Sequence, residues 1–193
     1  MKISRDSLLS LEAYARERAA FRARVLEHKK PRTVHIGDHV TLLFEDELTV
    51  RYQIQEMLRI ERTFEEAGIE DELEVYNPLV PDGSNWKATM LVEYEDAEER
   101  RQALARLRGI ERHVWARIEG SPPVHAVADE DLDRTSPEKT ASVHFLRFEL
   151  TPAMISALRG GAPLAIGIDH PQYSAALDPV AQATRAALLA DLA

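Results

Sequence analysis

Cysteine is absent from all 193 residues. These residues therefore supply no disulfide, no zinc-finger thiolates, no thiol nucleophile and no cysteine ligand for an iron–sulfur cluster. Positive charge is in deficit, with 24 Lys and Arg against 33 Asp and Glu and a formal net charge of −9. A phosphate backbone is repelled by such a chain unless a local basic stripe overrides the whole. The longest basic run, His28-Lys29-Lys30-Pro31-Arg32, is short and follows a helix, so no nucleic-acid partner is expected. Long hydrophobic runs are missing too, and nothing approaches the ~20 apolar residues of a membrane span. The stretch from Met1 to Asp6 has an early acid and no apolar stretch, so it does not read as a signal peptide. A cytoplasmic location is expected. There is no internal repeat, nucleophile elbow, phosphate loop, dinucleotide fingerprint or His-Glu-x-x-His.

What is present is an ordinary globular balance of 45% hydrophobic and 30% charged residues. Leu8, Leu11, Tyr14, Phe21 and Val25 recur at steps of three and four, which predicts a helix over residues 4–27 ended by Pro31. Alternation around Gly37-Asp38 predicts a hairpin or a bulged strand. Asp46 then caps a second helix over 47–67, closed by Gly68. Residues 76–85 hold two prolines, a glycine and two asparagines, and read as a loop. Strands are predicted at 86–94, 113–118, 124–127, 141–150 and 164–169. They are interleaved with a helix from the Asp96/Glu99 capping signal to Gly109, a short helix opened by Thr151-Pro152, and a last helix over 178–190. The pattern predicts one α+β domain over residues 1–193: a helical pair at the N-terminus and one mixed, mainly antiparallel sheet of about five to seven strands packed with helices.

Several charged side chains fall where apolar ones belong. An angular count puts Arg18 and Arg22 inside the stripe of the first helix and Glu61 at the centre of the stripe of the second, with Gln55 and Arg59 turned away and Glu56 on the far side. Buried charge is costly unless paired. The two helices are therefore expected to pack with these charges joined, as a structural ion pair or as a pocket for an anionic ligand. Without cysteine, a metal would need imidazole and carboxylate ligands, which favours iron, manganese or zinc. Glu45, Glu56, Glu93, His144 and His170 are the candidates, and Glu93, His144 and His170 lie on or beside strands that a sheet can bring together. His170 is held by Pro171 at the end of an apolar strand, with Tyr173 close by. The rigid segment Tyr76-Asn77-Pro78 is suited to lining a pocket.

Taken together, Phe44-Glu45, the run from Thr49 to Glu61 (Thr-Val-Arg-Tyr-Gln-Ile-Gln-Glu-Met-Leu-Arg-Ile-Glu), Glu72 with Tyr76-Asn77 and Pro81, Ala88-Thr89 with Glu93, Val143-His144-Phe145 and His170-Pro171-x-Tyr173 resemble an uncharacterised bacterial family classed as a domain of unknown function. The likeness spans nearly the whole chain. Members of that family are often encoded beside rubrerythrin-like proteins and Fe–S oxidoreductases resembling heterodisulfide reductase. The resemblance thus implies a role linked to redox or peroxide metabolism and such a protein as partner. It supplies no catalytic residues, and it draws attention to Gln53, Glu56, Arg59 and Glu61.

Two function classes follow. In a small-molecule enzyme or ligand-binding protein, Glu56, His170 and Tyr173 would carry catalysis. Arg18, Arg22, Arg59 and Asn77 would hold a small anionic ligand, and Glu93, His144 and His170 would hold a divalent metal. The alternative is an accessory protein that docks on a redox partner and has no chemistry of its own.

Overall fold

The computed structural model describes residues 2–132 and 134–193. Ser10 opens the first helix, α1 (Leu11–Lys29), by accepting from the Ala13 N–H at 3.2 Å. This cap lies six residues beyond the expected start, because a short 3-10 turn at Arg5–Ser7 occupies the stretch before it. Strands β1 (Thr33–Ile36) and β2 (Val40–Glu45) form the predicted hairpin. Gly37 sits in its turn at φ +67, a left-handed conformation that L side chains avoid.

Helix α2 (Glu47–Glu61) begins as expected at Asp46, whose carboxylate accepts from the Thr49 N–H while the Thr49 hydroxyl accepts from the Asp46 N–H. It stops earlier than residue 67. Arg62 adopts a left-handed φ of +57 and its N–H closes on the Leu58 carbonyl. Gly68 is thus not a helix end but lies inside the next helix, α3 (Glu66–Tyr76). A 3-10 turn (Asn77–Leu79) leads to strand β3 (Asn85–Val92). The remaining elements are α4 (Ala97–Arg106), β4 (Val114–Ile118), β5 (Val124–His125), β6 (Val127–Ala128), β7 (Val143–Glu149), α5 (Pro152–Arg159), β8 (Leu164–His170), β9 (Tyr173–Leu177) and α6 (Gln182–Leu189).

The chain is a single α+β domain, but its strands make two sheets where one was expected. The first has the order β1-β2-β3-β7-β6 and the second β5-β4-β8-β9, with every pair antiparallel. Alternation along a strand tells which residues share a face, not which strand lies beside it, so the division is not visible in the pattern. The inner faces of both sheets meet in one hydrophobic core. Phe44, Trp86, Met90 and Phe148 come from the first sheet, Ile118, Leu164 and Ile168 from the second, and Leu104, Leu158 and Leu188 from α4, α5 and α6. Trp86 also donates its indole N–H to the Leu188 carbonyl at 2.9 Å.

A smaller core lies elsewhere. Val50, Ile54 and Leu58 of α2 pack with Ile69 and Leu73 of α3 and with Ile3 and Leu8 of the N-terminal segment. The strand period of two turns Lys87 of β3 and Phe145 and Arg147 of β7 away from the sheet core. Lys87 stands opposite Arg147 on one side and Glu45 on the other. The helical layer covers part of this outer face.

Candidate functional site

The charges expected to join the first two helices do join them, with a different partner. Arg18 pairs with Glu56, not Glu61: Nε donates to Oε1 at 2.7 Å and Nη2 to Oε2 at 2.8 Å. The Tyr14 hydroxyl donates to the same Oε1 at 2.7 Å, and Arg59 Nη2 reaches Oε2 at 3.4 Å. The Arg18 guanidinium, with Tyr14 and Arg59, holds the Glu56 carboxyl down at about 2. Glu61 is exposed at the last residue of α2, and Arg22 is exposed with no ion pair among the described residues. The reason is that, beyond its first residue Leu11, which packs against the Val50–Ile54–Leu58 core, α1 takes another face. It packs on the flank that carries Tyr52 and Glu56, with the Phe21 and Tyr52 rings 5.9 Å apart. Gln55, expected outside, is buried and exchanges hydrogen bonds with the Leu9 backbone at 2.7 and 3.3 Å.

The three proposed metal ligands do not converge. His144 belongs to the first sheet and is completely buried. Its Nδ1 meets Asp129 Oδ2 at 2.6 Å, and its Nε2 meets Thr140 Oγ1 at 2.9 Å and the Ala141 carbonyl at 3.1 Å. His170 belongs to the second sheet. Its Nδ1 accepts from the Gln172 N–H at 3.2 Å, which leaves Nε2 to donate to the Arg108 carbonyl at 3.1 Å, so backbone groups occupy both ring nitrogens. Glu93 accepts from the Thr41 hydroxyl at 2.6 Å. Glu45 is buried and accepts from Thr49 at 2.5 Å and Thr89 at 2.7 Å. Among the described residues, no group of three or more His, Asp or Glu side chains is placed to hold a metal ion.

Tyr173 and Asn77 act as fasteners. The Tyr173 hydroxyl donates to the Ile36 carbonyl at 2.5 Å and accepts from the His39 N–H at 3.1 Å, clamping the β1–β2 turn to the second sheet. Asn77 pins the N-terminal segment, accepting from Ile3 N–H at 2.8 Å and donating to its carbonyl at 3.0 Å. The expected catalytic trio is thus divided: His170 and Tyr173 are cross-strand partners at the β8–β9 turn, whereas Glu56 lies on α2 in the helical layer.

A different site emerges where the two cores meet. Between the helical layer and the outer face of the first sheet lies a cavity of about 230 Å³. Val75 and Tyr76 of α3, Pro78 and Leu79 of the following turn, and Phe145 and Leu146 of β7 give it apolar walls. Gln53, Lys87 and Arg147, together with Glu130, Asp131 and Arg134 from the segment after β6, supply its polar groups. Apolar walls with a few converging polar groups are the usual make-up of a small-molecule site.

Most of those charges satisfy one another. Arg147 holds Glu130 through two bonds of 2.8 Å and Glu149 through one of 2.6 Å, which pulls the Glu130 carboxyl below its ordinary range. Arg134 lies over the Phe145 ring, 4.7 Å from its centroid, and binds Asp131 at 2.6 and 2.7 Å and Asp129 at 3.2 Å. Burial, with Glu72 alongside, raises the Tyr76 phenol, which therefore keeps its proton. Lys87 is the exception: half-buried, it makes no ion pair or hydrogen bond among the described residues. Burial lowers its pKa and the neighbouring Arg147 adds to the effect, against opposition from Glu130, Asp82 and Glu149.

Sequence reasoning passed over Lys87. The available signal was a lysine in the interior of the strand Trp86-Lys87-Ala88-Thr89-Met90-Leu91, where alternation gives it a face of its own. Only knowledge that helices cover that face makes the lysine unusual.

The chain belongs to the family described as protein of unknown function (DUF3501), whose model matches residues 2–192. No curated protein matches it. It is similar over 100% of both chains to a solved structure, the crystal structure of a novel protein of unknown function from Burkholderia pseudomallei K96243, with 57% identity and a TM-score of 0.95. No helix among the described residues is long and apolar enough to cross a membrane.

Proposed function

We propose that this protein binds a small organic molecule in the seam cavity, with an apolar body against Val75, Leu79 and Phe145 and a carbonyl or carboxylate oxygen on Lys87. The observation that carries the reading is the unpartnered amine of Lys87 in a cavity whose two arginines are already matched by carboxylates. Burial of an amine that no side chain hydrogen-bonds is costly, and a ligand oxygen offsets that cost through a charge-assisted hydrogen bond. The volume of about 230 Å³ suits roughly eight heavy atoms, taking the ~30 Å³ per small molecule of liquid water as the guide.

Thermal-shift titration with straight-chain carboxylates of about four to eight carbons, spanning that volume, tests this. A saturable rise in melting temperature that disappears in Lys87→Met is the expected result. An equal rise in Lys87→Met, or none in the parent, counts against it.

The link to redox metabolism and a rubrerythrin-like or Fe–S oxidoreductase partner rests on the sequence resemblance and goes forward as part of this proposal. Its test is co-purification from a native source. A partner of another class, recovered reproducibly, would remove it. The carboxylate/imidazole metal centre is not part of this reading, because its ligands have other partners.

A further inference from the structure

We infer that Lys87 captures aldehydes or ketones covalently, as an imine, so that the cavity is a carbonyl-trapping site; this rests on the ligand-binding reading above and narrows it to a substrate class. Four observations converge on it. The amine projects from β3, which is bonded to β2 on one side and β7 on the other, so the backbone beneath the nucleophile is held on both edges. No carboxylate locks the amine in its protonated form, whereas both arginines of the cavity are so locked. Burial, with the guanidinium of the cross-strand neighbour Arg147, lowers the pKa of the amine against Glu130, Asp82 and Glu149, which makes its neutral form easier to reach. The apolar wall of Val75, Leu79 and Phe145 gives the carbon body of a carbonyl compound a surface to lie on beside the amine.

The step balances without a co-reactant. The nitrogen lone pair of neutral Lys87 adds to the carbonyl carbon, forming a C–N bond and a carbinolamine. The carbonyl oxygen then leaves as water, taking both protons of the amine in net, and the C=N bond forms as the C–O bond breaks. Nothing is oxidised or reduced. The protonated phenol of Tyr76 lines the same cavity and is suited to assist the departing oxygen.

The experiment treats the full chain with hexanal and sodium cyanoborohydride, then locates the reduced adduct by peptide mass spectrometry. The chain has five lysines, and the other four are Lys2, Lys29, Lys30 and Lys139. The expected result is several-fold more adduct at Lys87 than at any of these, although Lys2, Lys30 and Lys139 are more exposed. Pre-incubation with hexanoate should suppress the Lys87 adduct alone. Adduct spread evenly over the surface lysines, or none at Lys87, overturns the inference. Hexanoate binding in the thermal-shift assay separates the two failures. If hexanoate binds and hexanal is not trapped, the cavity binds ligands without imine chemistry; if neither occurs, the ligand-binding reading falls too. Lys87→Arg keeps the charge and should retain the hexanoate shift while losing the adduct. Retention of an adduct in the cavity of that variant also overturns the assignment.

Discussion

Arg18 of α1 and Glu56 of α2 are joined by two parallel hydrogen bonds of 2.7 and 2.8 Å, with the Tyr14 hydroxyl completing the carboxylate's shell. Glu56→Gln should destabilise the protein by about 1–2 kcal/mol, a modest figure because Arg18 is partly solvated and exposed pairs contribute little. The pair also sets an acid limit. The carboxyl's pKa falls from 4.5 to about 2 on folding. Its contribution is therefore complete above pH 4.5 and drains away as pH drops toward 2. Urea unfolding of parent and variant at pH 7 and pH 3 should show the gap between them narrowing at the lower pH.

His144 is sealed in the protein, with its Nδ1 paired to Asp129 and its Nε2 beside the Thr140 hydroxyl and the Ala141 carbonyl. Breaking a buried pair of this kind on one side costs about 3–5 kcal/mol. His144→Ala should lose that much in urea unfolding. Because Asp129 and Thr140 stand at the two ends of the segment between β6 and β7, amide exchange at residues 134–140 should accelerate by more than in the rest of the first sheet. Uniform acceleration would show that the histidine acts only on global stability.

Gly37 is required twice over. Its φ is +67, and a Cβ built there would lie 2.6 Å from the Tyr173 hydroxyl. Gly37→Ala should cost about 1–3 kcal/mol, the range for a non-glycine residue in a sparsely populated backbone region. In Tyr173→Phe the obstructing oxygen is gone, and the added cost of Gly37→Ala should shrink. A double-mutant cycle by thermal unfolding measures this coupling. Strict additivity would mean that the backbone angle alone makes the glycine necessary.

Arg32 is buried beneath α6, bonded to both oxygens of Asp191 at 2.7 and 2.8 Å and 3.1 Å from Asp46. Asp191→Ala leaves that guanidinium with Asp46 and the Ala187 carbonyl and should destabilise by about 3–5 kcal/mol. Arg32→Met combined with Asp191→Leu removes both charges and should recover most of the loss. Calorimetry on the single and double variants decides it.

Legibility in the sequence followed the range of the forces involved. Caps depend on residues three or four apart, and Asp46, Asp96 and Thr151 each open the helix expected of them. The first helix opens at Ser10 and not at residue 4, because Ser4, Ser7 and Ser10 offer the same capping chemistry and a 3-10 turn takes the first two. The α1 stripe was readable, and Arg18 does sit on the Tyr14 and Phe21 side of α1, half-exposed and turned toward α2. Its partner was not readable, since angular position on α2 ranks faces without saying which neighbour takes which face. Glu61 is central on the α2 stripe by angle, but Arg62 ends the helix directly after it, and at this last residue the side chain is exposed. The metal ligands failed for the same reason. Membership of a strand says nothing about which sheet the strand joins, and His144 and His170 went to different ones. Lys87 was legible as a residue facing away from the core, but the apolar seam that makes it chemically unusual is assembled from α3, β7 and the segment after β6, far apart in the chain.

Two hydrophobic cores define two units of local unfolding. The helical core around Ile54 and Leu73 is the smaller, and the core between the sheets draws on both sheets and three helices. The helical layer should therefore open at a lower free energy than the sheets, with amides of α2 and α3 exchanging before those of β3 and β8. An occupant of the seam touches a wall from each unit and binds only while both walls stand. At a concentration 100 times its dissociation constant it raises the cost of that partial opening by ~2.7 kcal/mol. The cavity joins the layer expected to loosen first to the layer expected to loosen last, and an occupant should draw the two openings together.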